Sequence, residues 1–211
     1  MAKLLYVESS PRKQRSASIE VCRVFLDVYR KTHPLDDIET LDIWATQLPE
    51  FDGPALDAKY AGLSGTLLTP VQVAAWEGIR RLAAPFLAAD KILLGVPLWN
   101  FGIPYRLKHL IDLISQKDVL FAFDETGFAG LAKAKRAAVV YARGLDYFSQ
   151  DTPTPAAAFD LQRPYIQMWL RFIGVADIHE VLVEKTLLGP EVDATARATA
   201  RREAEALARE F

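Results

Sequence analysis

Apolar residues follow two rhythms along this chain. Apolar runs mark buried strands at 3–7 (K-L-L-Y-V), 90–97 (D-K-I-L-L-G-V-P) and 136–142 (R-A-A-V-V-Y-A), and residues 176–183 are expected to make the last strand. Residues 37–43 (D-I-E-T-L-D-I) alternate and predict a further strand. Elsewhere the spacing is helical. Ile19, Cys22, Leu26 and Tyr29 recur every three or four positions, which predicts a helix over 16–31 with Ser16 as N-cap. Thr69-Pro70 opens another helix with a hydroxyl cap and a first-turn proline, and Pro85 is expected to kink or end it. Pro104 starts a helix to about 116, residues 155–173 form one ended by Gly174, and the Ala-, Glu- and Arg-rich stretch 190–210 forms the last. Residues 119–123 predict a short extra strand or an extended loop. Residues 44–69, with Pro49, Gly53, Pro54, Gly62 and Gly65, read as a long irregular segment suited to a functional or partner contact.

Strands and helices therefore alternate, with crossovers long enough for parallel pairing. The expectation is one α/β domain over 1–211: a doubly wound, five-stranded parallel sheet with helices on both faces. Such sheets bind ligands beyond the carboxyl ends of their strands. Attention falls on the three loops that follow residues 7, 97 and 142.

Composition narrows the classes. Of 211 residues, 25 are basic and 27 acidic, so no basic excess points to nucleic acid. No apolar run approaches the roughly 18 residues of a membrane span, and M-A-K-L-L-Y-V lacks the apolar core of a secretory leader. Cys22 is the one cysteine, so no internal disulfide forms, and a cytoplasmic protein is expected. Cys22 lies on the apolar face of the first helix and is expected to be buried. His33, His109 and His179 lack metal-ligand spacing, and no metal is expected. G-x-S-x-G, the nucleophile elbow of hydrolases, does not occur.

The first loop reads S-S-P-R-K-Q-R-S-A-S, residues 9–18. A helix start carries unpaired N–H groups and partial positive charge, which suits a phosphate. Ser10, Ser16 and Ser18 add hydroxyls; Arg12, Lys13 and Arg15 raise the local potential. Neither G-x-G-x-x-G nor a Walker loop is present, so a monophosphate fits better than a dinucleotide. Helix capping alone would also explain these serines. The second loop, P-L-W-N-F-G-I-P at 97–104, is a stiff segment offering an aromatic wall and backbone donors to a flat heteroaromatic ring; Trp99 and Phe101 would equally serve as core residues. The third, Y-A-R-G-L-D-Y at 141–147, offers backbone N–H groups and one cation to a polar ring edge.

These three segments together resemble the FMN-dependent NAD(P)H azoreductases, quinone and azo-dye reductases of the flavodoxin-like fold. L-D-I-W-A-T-Q-L-P-E-F-D (41–52) and F-I-G-V (172–175) extend the likeness over nearly the whole chain. The resemblance implies that Ser10, Ser16, Ala17 and Ser18 bind the FMN phosphate, beside Arg12. It places Pro97, Leu98, Trp99, Asn100 and Phe101 under the isoalloxazine, and Ala142, Arg143, Gly144 and Leu145 at its pyrimidine side. Many members carry Ser and Gly where this chain has Ala142 and Leu145, so contacts there are expected to be fewer or differently made. Phe121 and Phe172 resemble residues that enclose the substrate pocket. The implied activity is ping-pong, two-electron reduction of quinones, azo compounds and nitroaromatics by NADH or NADPH through FMN. No protein side chain is assigned as catalytic, since the flavin carries the chemistry. A homodimer is implied, with 44–69 and Phe121-Ala122-Phe123 as candidate contacts. An FMN electron carrier, or a non-catalytic FMN-binding regulator, remains an open alternative.

Overall fold

A computed structural model describes residues 1–211. In chain order its elements are β1 (Lys3–Glu8), α1 (Ala17–Thr32), β2 (Asp37–Asp42), α2 (Gly53–Ser64), α3 (Pro70–Ala88), β3 (Lys91–Pro97), α4 (Tyr105–Ile114), β4 (Phe121–Asp124), β5 (Gly127–Gly130), β6 (Arg136–Ala142), α5 (Ala156–Phe159), α6 (Gln162–Phe172), β7 (Asp177–Val183) and α7 (Pro190–Glu210). Five strands form one sheet in the order β2-β1-β3-β6-β7, every pair parallel. The expected doubly wound sheet is therefore present, and the order reverses between β1 and β3, where such sheets open a crevice.

Alternation along β1 assigns the two faces. Leu4 and Tyr6 pack with Phe25, Leu26 and Tyr29 of α1 and with Ala200, Ala204 and Ala208 of α7. Leu5 and Val7 pack against the other layer, with Ile79 and Phe86 of α3, Leu110 of α4 and Trp169 of α6. The alanine stripe on α7 lets that helix lie close on α1.

Three expectations need amendment, and the short extra strand expected at 119–123 is present as β4. Residues 44–69 are not irregular throughout, because α2 occupies Gly53–Ser64. Pro54 sits in its first turn, and Gly65 ends it in the left-handed region at φ 69. Pro85 does not end α3, which runs to Ala88. The proline falls in the last turn and frees only the carbonyl of Arg81, an exposed residue that water can satisfy. The helix expected over 155–173 is broken into α5 and α6. Pro164 would clash with the carbonyl of residue 160 in a continuous helix, so a new helix starts with Pro164 in its first turn. Residues 119–123 contribute to a hairpin, β4–β5, that stands outside the main sheet. That hairpin is pinned to the end of α6: Ala132 N–H donates to Ile173 O at 3.0 Å, and Gly130 lies directly on the Ile173–Gly174 peptide. No helix is long and apolar enough to cross a membrane.

Candidate cofactor site

The carboxyl ends of β1, β3, β6 and β7 deliver their loops to one rim, where a cleft of about 150 Å³ opens. Its floor at the β1 end is built from serines. Ser9 Oγ donates to Gly95 O at 2.6 Å and ties the loop to β3. Ser10 Oγ accepts from Arg12 N–H at 3.3 Å. Ser16 caps α1, but its Oγ lies 3.5 Å from Ile19 N, a weak bond, and 3.1 Å from Ser18 Oγ. All four serines are buried. The first N–H groups of α1, on Ala17 and Ser18, have no acceptor four residues back within the helix. Ser10, Ser16 and Ala17 line the cleft; Ser18 stands behind Ser16 and does not. The result is a set of buried donors with bonding capacity to spare, facing a gap at the positive end of a helix.

The three cations of this loop have different fates. Lys13 turns away, with Nζ 2.6 Å from Glu8 Oε1 and 2.5 Å from Asp42 Oδ2. Burial works against its charge, but these two bonds prevail and hold its pKa above the ordinary lysine value. Arg12 lines the cleft, and Arg15 is exposed outside it. Arg12 therefore supplies the loop's charge to the cleft and Lys13 does not.

The second loop is a two-residue turn. Trp99 N–H donates to Gly102 O at 3.1 Å and Gly102 N–H returns to Trp99 O at 2.9 Å. Between them Asn100 (φ 44) and Phe101 (φ 71) both occupy the left-handed region. A phenylalanine held there is strained, and such strain persists where surrounding structure enforces it. The N–H groups of Asn100 and Phe101 make no hydrogen bond within the chain. Trp99 lines the cleft with Pro97 and Leu98, and its ring lies 6.0 Å from that of Trp44. Trp44 Nε1 in turn donates to Ser9 O at 2.9 Å, joining second loop to first. Phe101 is half exposed, 5.7 Å from the ring of Phe159. Neither Trp99 nor Phe101 is a core residue.

The third loop is fastened to the second by Leu98 N–H on Ala142 O at 2.8 Å. Ala142, Arg143 and Gly144 line the cleft, while Leu145 is exposed beside it. Arg143 departs from the expectation that its cation faces a ring edge. Its side chain is fully buried and turned inward, with Nη2 2.7 Å from Asp160 Oδ2, Nε 3.1 Å from Gln162 Oε1 and Nη1 3.4 Å from Glu184 Oε1. Asp160 Oδ1 also accepts from the N–H groups of Gln162 and Arg163, and Gln162 Nε2 donates to Val96 O at 2.8 Å. Arg143 thus locks the third loop to the break between α5 and α6 and to the end of β3. What the loop presents to the cleft is main chain: the N–H groups of Gly144 and Leu145 are unbonded within the chain. A Cβ on Gly144 would stand 2.6 Å from Leu187 Cδ1, so this backbone and Leu187 close on each other.

A fourth loop escaped the sequence reading. Thr186 and Leu187, after β7, line the cleft, and so does Arg197 of α7. Thr186 Oγ1 donates to Arg143 O at 3.0 Å and steadies the third loop. The rule that singled out the carboxyl ends of three strands applies equally to Val183, and following it would have found these residues. Phe121 and Phe172 do not line the cleft. Phe121 lines a second cavity of about 410 Å³ with Trp76, Phe123 and Phe128, and Phe172 packs 4.8 Å from Phe121 behind it.

Known proteins share this architecture. A family model for the flavodoxin-like fold matches residues 2–208. FMN-dependent NADH:quinone oxidoreductase 9 of Burkholderia lata is 61% identical over 213 aligned residues, covering 100% of both chains. FMN-dependent NADH:quinone oxidoreductase 3 of Pseudomonas fluorescens is 49% identical, covering 100% of this chain and 98% of its own. Among solved structures, an FMN-dependent NADH-azoreductase from Bacillus anthracis in complex with FMN superposes with a TM-score of 0.83 at 27% identity, covering 99% of this chain and 100% of its own.

Proposed function

The chain belongs to the flavodoxin-like family, and on that premise we propose that it is an FMN-dependent NADH:quinone oxidoreductase that also reduces azo compounds. The residues of the cleft fit FMN. Buried serine hydroxyls with spare bonding capacity, at an unpaired helix start beside Arg12, suit a single phosphate. The unbonded N–H groups of Asn100, Phe101, Gly144 and Leu145 suit the polar edge of a heteroaromatic ring. That convergence of four loops on one rim is the observation that carries the proposal.

FMN, when bound, would supply the redox chemistry: two-electron transfer from NADH to a quinone or azo acceptor. The chain's residues bind, orient and enclose. Ser10, Ser16, Ala17 and Arg12 would hold the phosphate through hydroxyl, backbone and guanidinium donors, with Ser18 supporting the Ser16 hydroxyl from behind. Pro97, Leu98 and Trp99 would form a stiff wall of the cleft, and the strained turn beside it leaves the N–H groups of Asn100 and Phe101 without a partner in the chain. Ala142, Arg143, Gly144 and Leu145 offer main-chain donors, held rigid by the buried Arg143 side chain. Fixed N–H dipoles of this kind stabilise negative charge on a ring without reorganising.

The same reading makes the enzyme a cytoplasmic homodimer. A cleft of about 150 Å³ would leave part of a bound FMN uncovered by this chain alone. Tyr60, Leu63, Leu67, Phe123 and Phe128 form exposed apolar surface on and after α2 and on the β4–β5 hairpin. A second copy that buries this surface brings Phe121 and Phe172 into the enclosure of the acceptor. One cysteine, buried and unpaired, accords with a reducing compartment. Light scattering should give twice the chain mass; one chain mass at micromolar concentration overturns the dimer.

The test of function is spectroscopic. Purified protein should be yellow, should bleach anaerobically with NADH, and should recover its colour with benzoquinone. A flavin that dithionite bleaches and NADH does not would make the protein a carrier instead.

A further inference from the structure

Given FMN in the cleft, as proposed above, we infer that Arg197 of α7 is a second phosphate-binding cation of this site. Its side chain lines the same cleft as Ser10, Arg12, Ser16 and Ala17. Two carboxylates hold the guanidinium: Nε donates to Asp193 Oδ1 at 2.7 Å and Nη1 to Glu20 Oε2 at 2.6 Å. Its third nitrogen, Nη2, makes no hydrogen bond within the chain. Glu20 belongs to the first turn of α1, one turn beyond the Ser16 cap. The anchor therefore sets the fork beside the unpaired N–H groups that an anion would take.

Arg12 and Arg197 are not equivalent. Arg12 is exposed, its side chain bonds to nothing, and placing it on a ligand costs about 1.5–2 kcal/mol of rotamer freedom. Arg197 is already ordered, so its free nitrogen meets an anion at little further entropic cost. Arg201 reaches the other oxygen of Glu20 at 2.9 Å, so Glu20 does not hold the charge of Arg197 alone. A simpler role remains to be separated: Arg197 as a bridge between α1 and α7 and nothing more.

Riboflavin separates the two roles, because it is FMN without the phosphate. The full chain, stripped of flavin, is titrated with FMN and with riboflavin, and quenching of flavin fluorescence gives both dissociation constants. Arg197→Gln should weaken FMN about tenfold, as loss of one charge-assisted bond does, and leave riboflavin unchanged. Arg197→Lys keeps a cation for Glu20 but cannot span Asp193, Glu20 and an anion together. It should lower the FMN preference several-fold, and it decides the question if the Gln variant fails to fold. An unchanged preference in either folded variant, or equal weakening of both flavins, overturns the inference and leaves a helix bridge. A wild-type chain that binds neither flavin overturns the proposed function instead.

Discussion

Asp160→Asn is the sharpest probe of how the third loop is held. Asp160 Oδ1 accepts from the N–H groups of Gln162 and Arg163, each at 3.0 Å, and an asparagine oxygen can keep both bonds. Oδ2 faces Arg143 Nη2 at 2.7 Å, and there an amide NH₂ opposes a guanidinium donor. The substitution thus strips one charge while sparing the start of α6. Arg143 has no exposed side-chain surface through which water could compensate. Breaking a buried pair by removing one partner costs about 3–5 kcal/mol. Glu184, at 3.4 Å from Nη1, retains part of the compensation and places the loss near the lower end, about 3 kcal/mol. In a chain of 211 residues each kcal/mol moves Tm by about 2–4 °C, so a fall of about 6–12 °C is expected. Melts must be run at fixed protein and FMN concentrations, since a ligand raises Tm by mass action. Adding Arg143→Met removes the stranded cation and should restore at least half the loss. A fall below about 2 °C, or no recovery in the double variant, refutes the buried-charge account.

Four further substitutions have outcomes set by their immediate surroundings. A Cβ on Gly130 would stand 2.0 Å from Ile173 C and 2.1 Å from Gly174 N, both backbone, so Gly130→Ala should displace the β4–β5 hairpin and cost about 2–3 kcal/mol in a urea melt. Gly62→Ala on α2, where nothing lies within 4 Å, should stabilise by about 0.5–1 kcal/mol; equal effects from the two would refute the steric argument. Phe101→Gly relieves a left-handed strain of about 1–2 kcal/mol at a half-exposed ring, so the protein without flavin should be no less stable while FMN binds about tenfold more weakly; a destabilised variant with full FMN affinity contradicts the role given to that turn. Burial holds the Glu184 carboxyl above its ordinary 4.5 despite the pull of Arg143. The folded chain then keeps a proton that the unfolded chain releases, and stability falls as pH rises from about 4.5 through the folded value. Glu184→Gln should remove that slope from urea midpoints taken at stepped pH.

What the sequence disclosed, and what it hid, follows the range of the interactions involved. The buried strands are contiguous apolar runs, and α1 carries its whole packing face within one helix, so both are written locally. α2 was hidden because its buried positions are Ala55 and Ala58, while Tyr60 and Leu63 face outward, and no apolar stripe marks it. The break at Asp160 was legible in principle, since Pro164 excludes a continuous helix through that carbonyl. The same division governs the cleft. The serines follow β1 directly and the aromatic turn follows β3, so each keeps its chemistry within a few residues of a strand end. Arg143 looked like a ligand cation because it directly follows a buried strand at the rim. Its partners Asp160, Gln162 and Glu184 lie 17, 19 and 41 residues onward, and only closure of the fold brings them under it. Arg197 is the converse case: an unremarkable helical arginine that reaches the β1 rim by pairing with Glu20, 177 residues away. Charge near a site is therefore poor evidence of contact with a ligand until its internal partners are known. By that criterion Arg12 and Arg197 keep a donor beside the cleft, whereas the Lys13 ammonium is drawn to Glu8 and Asp42 outside it and the Arg143 guanidinium is turned inward onto Asp160, Gln162 and Glu184.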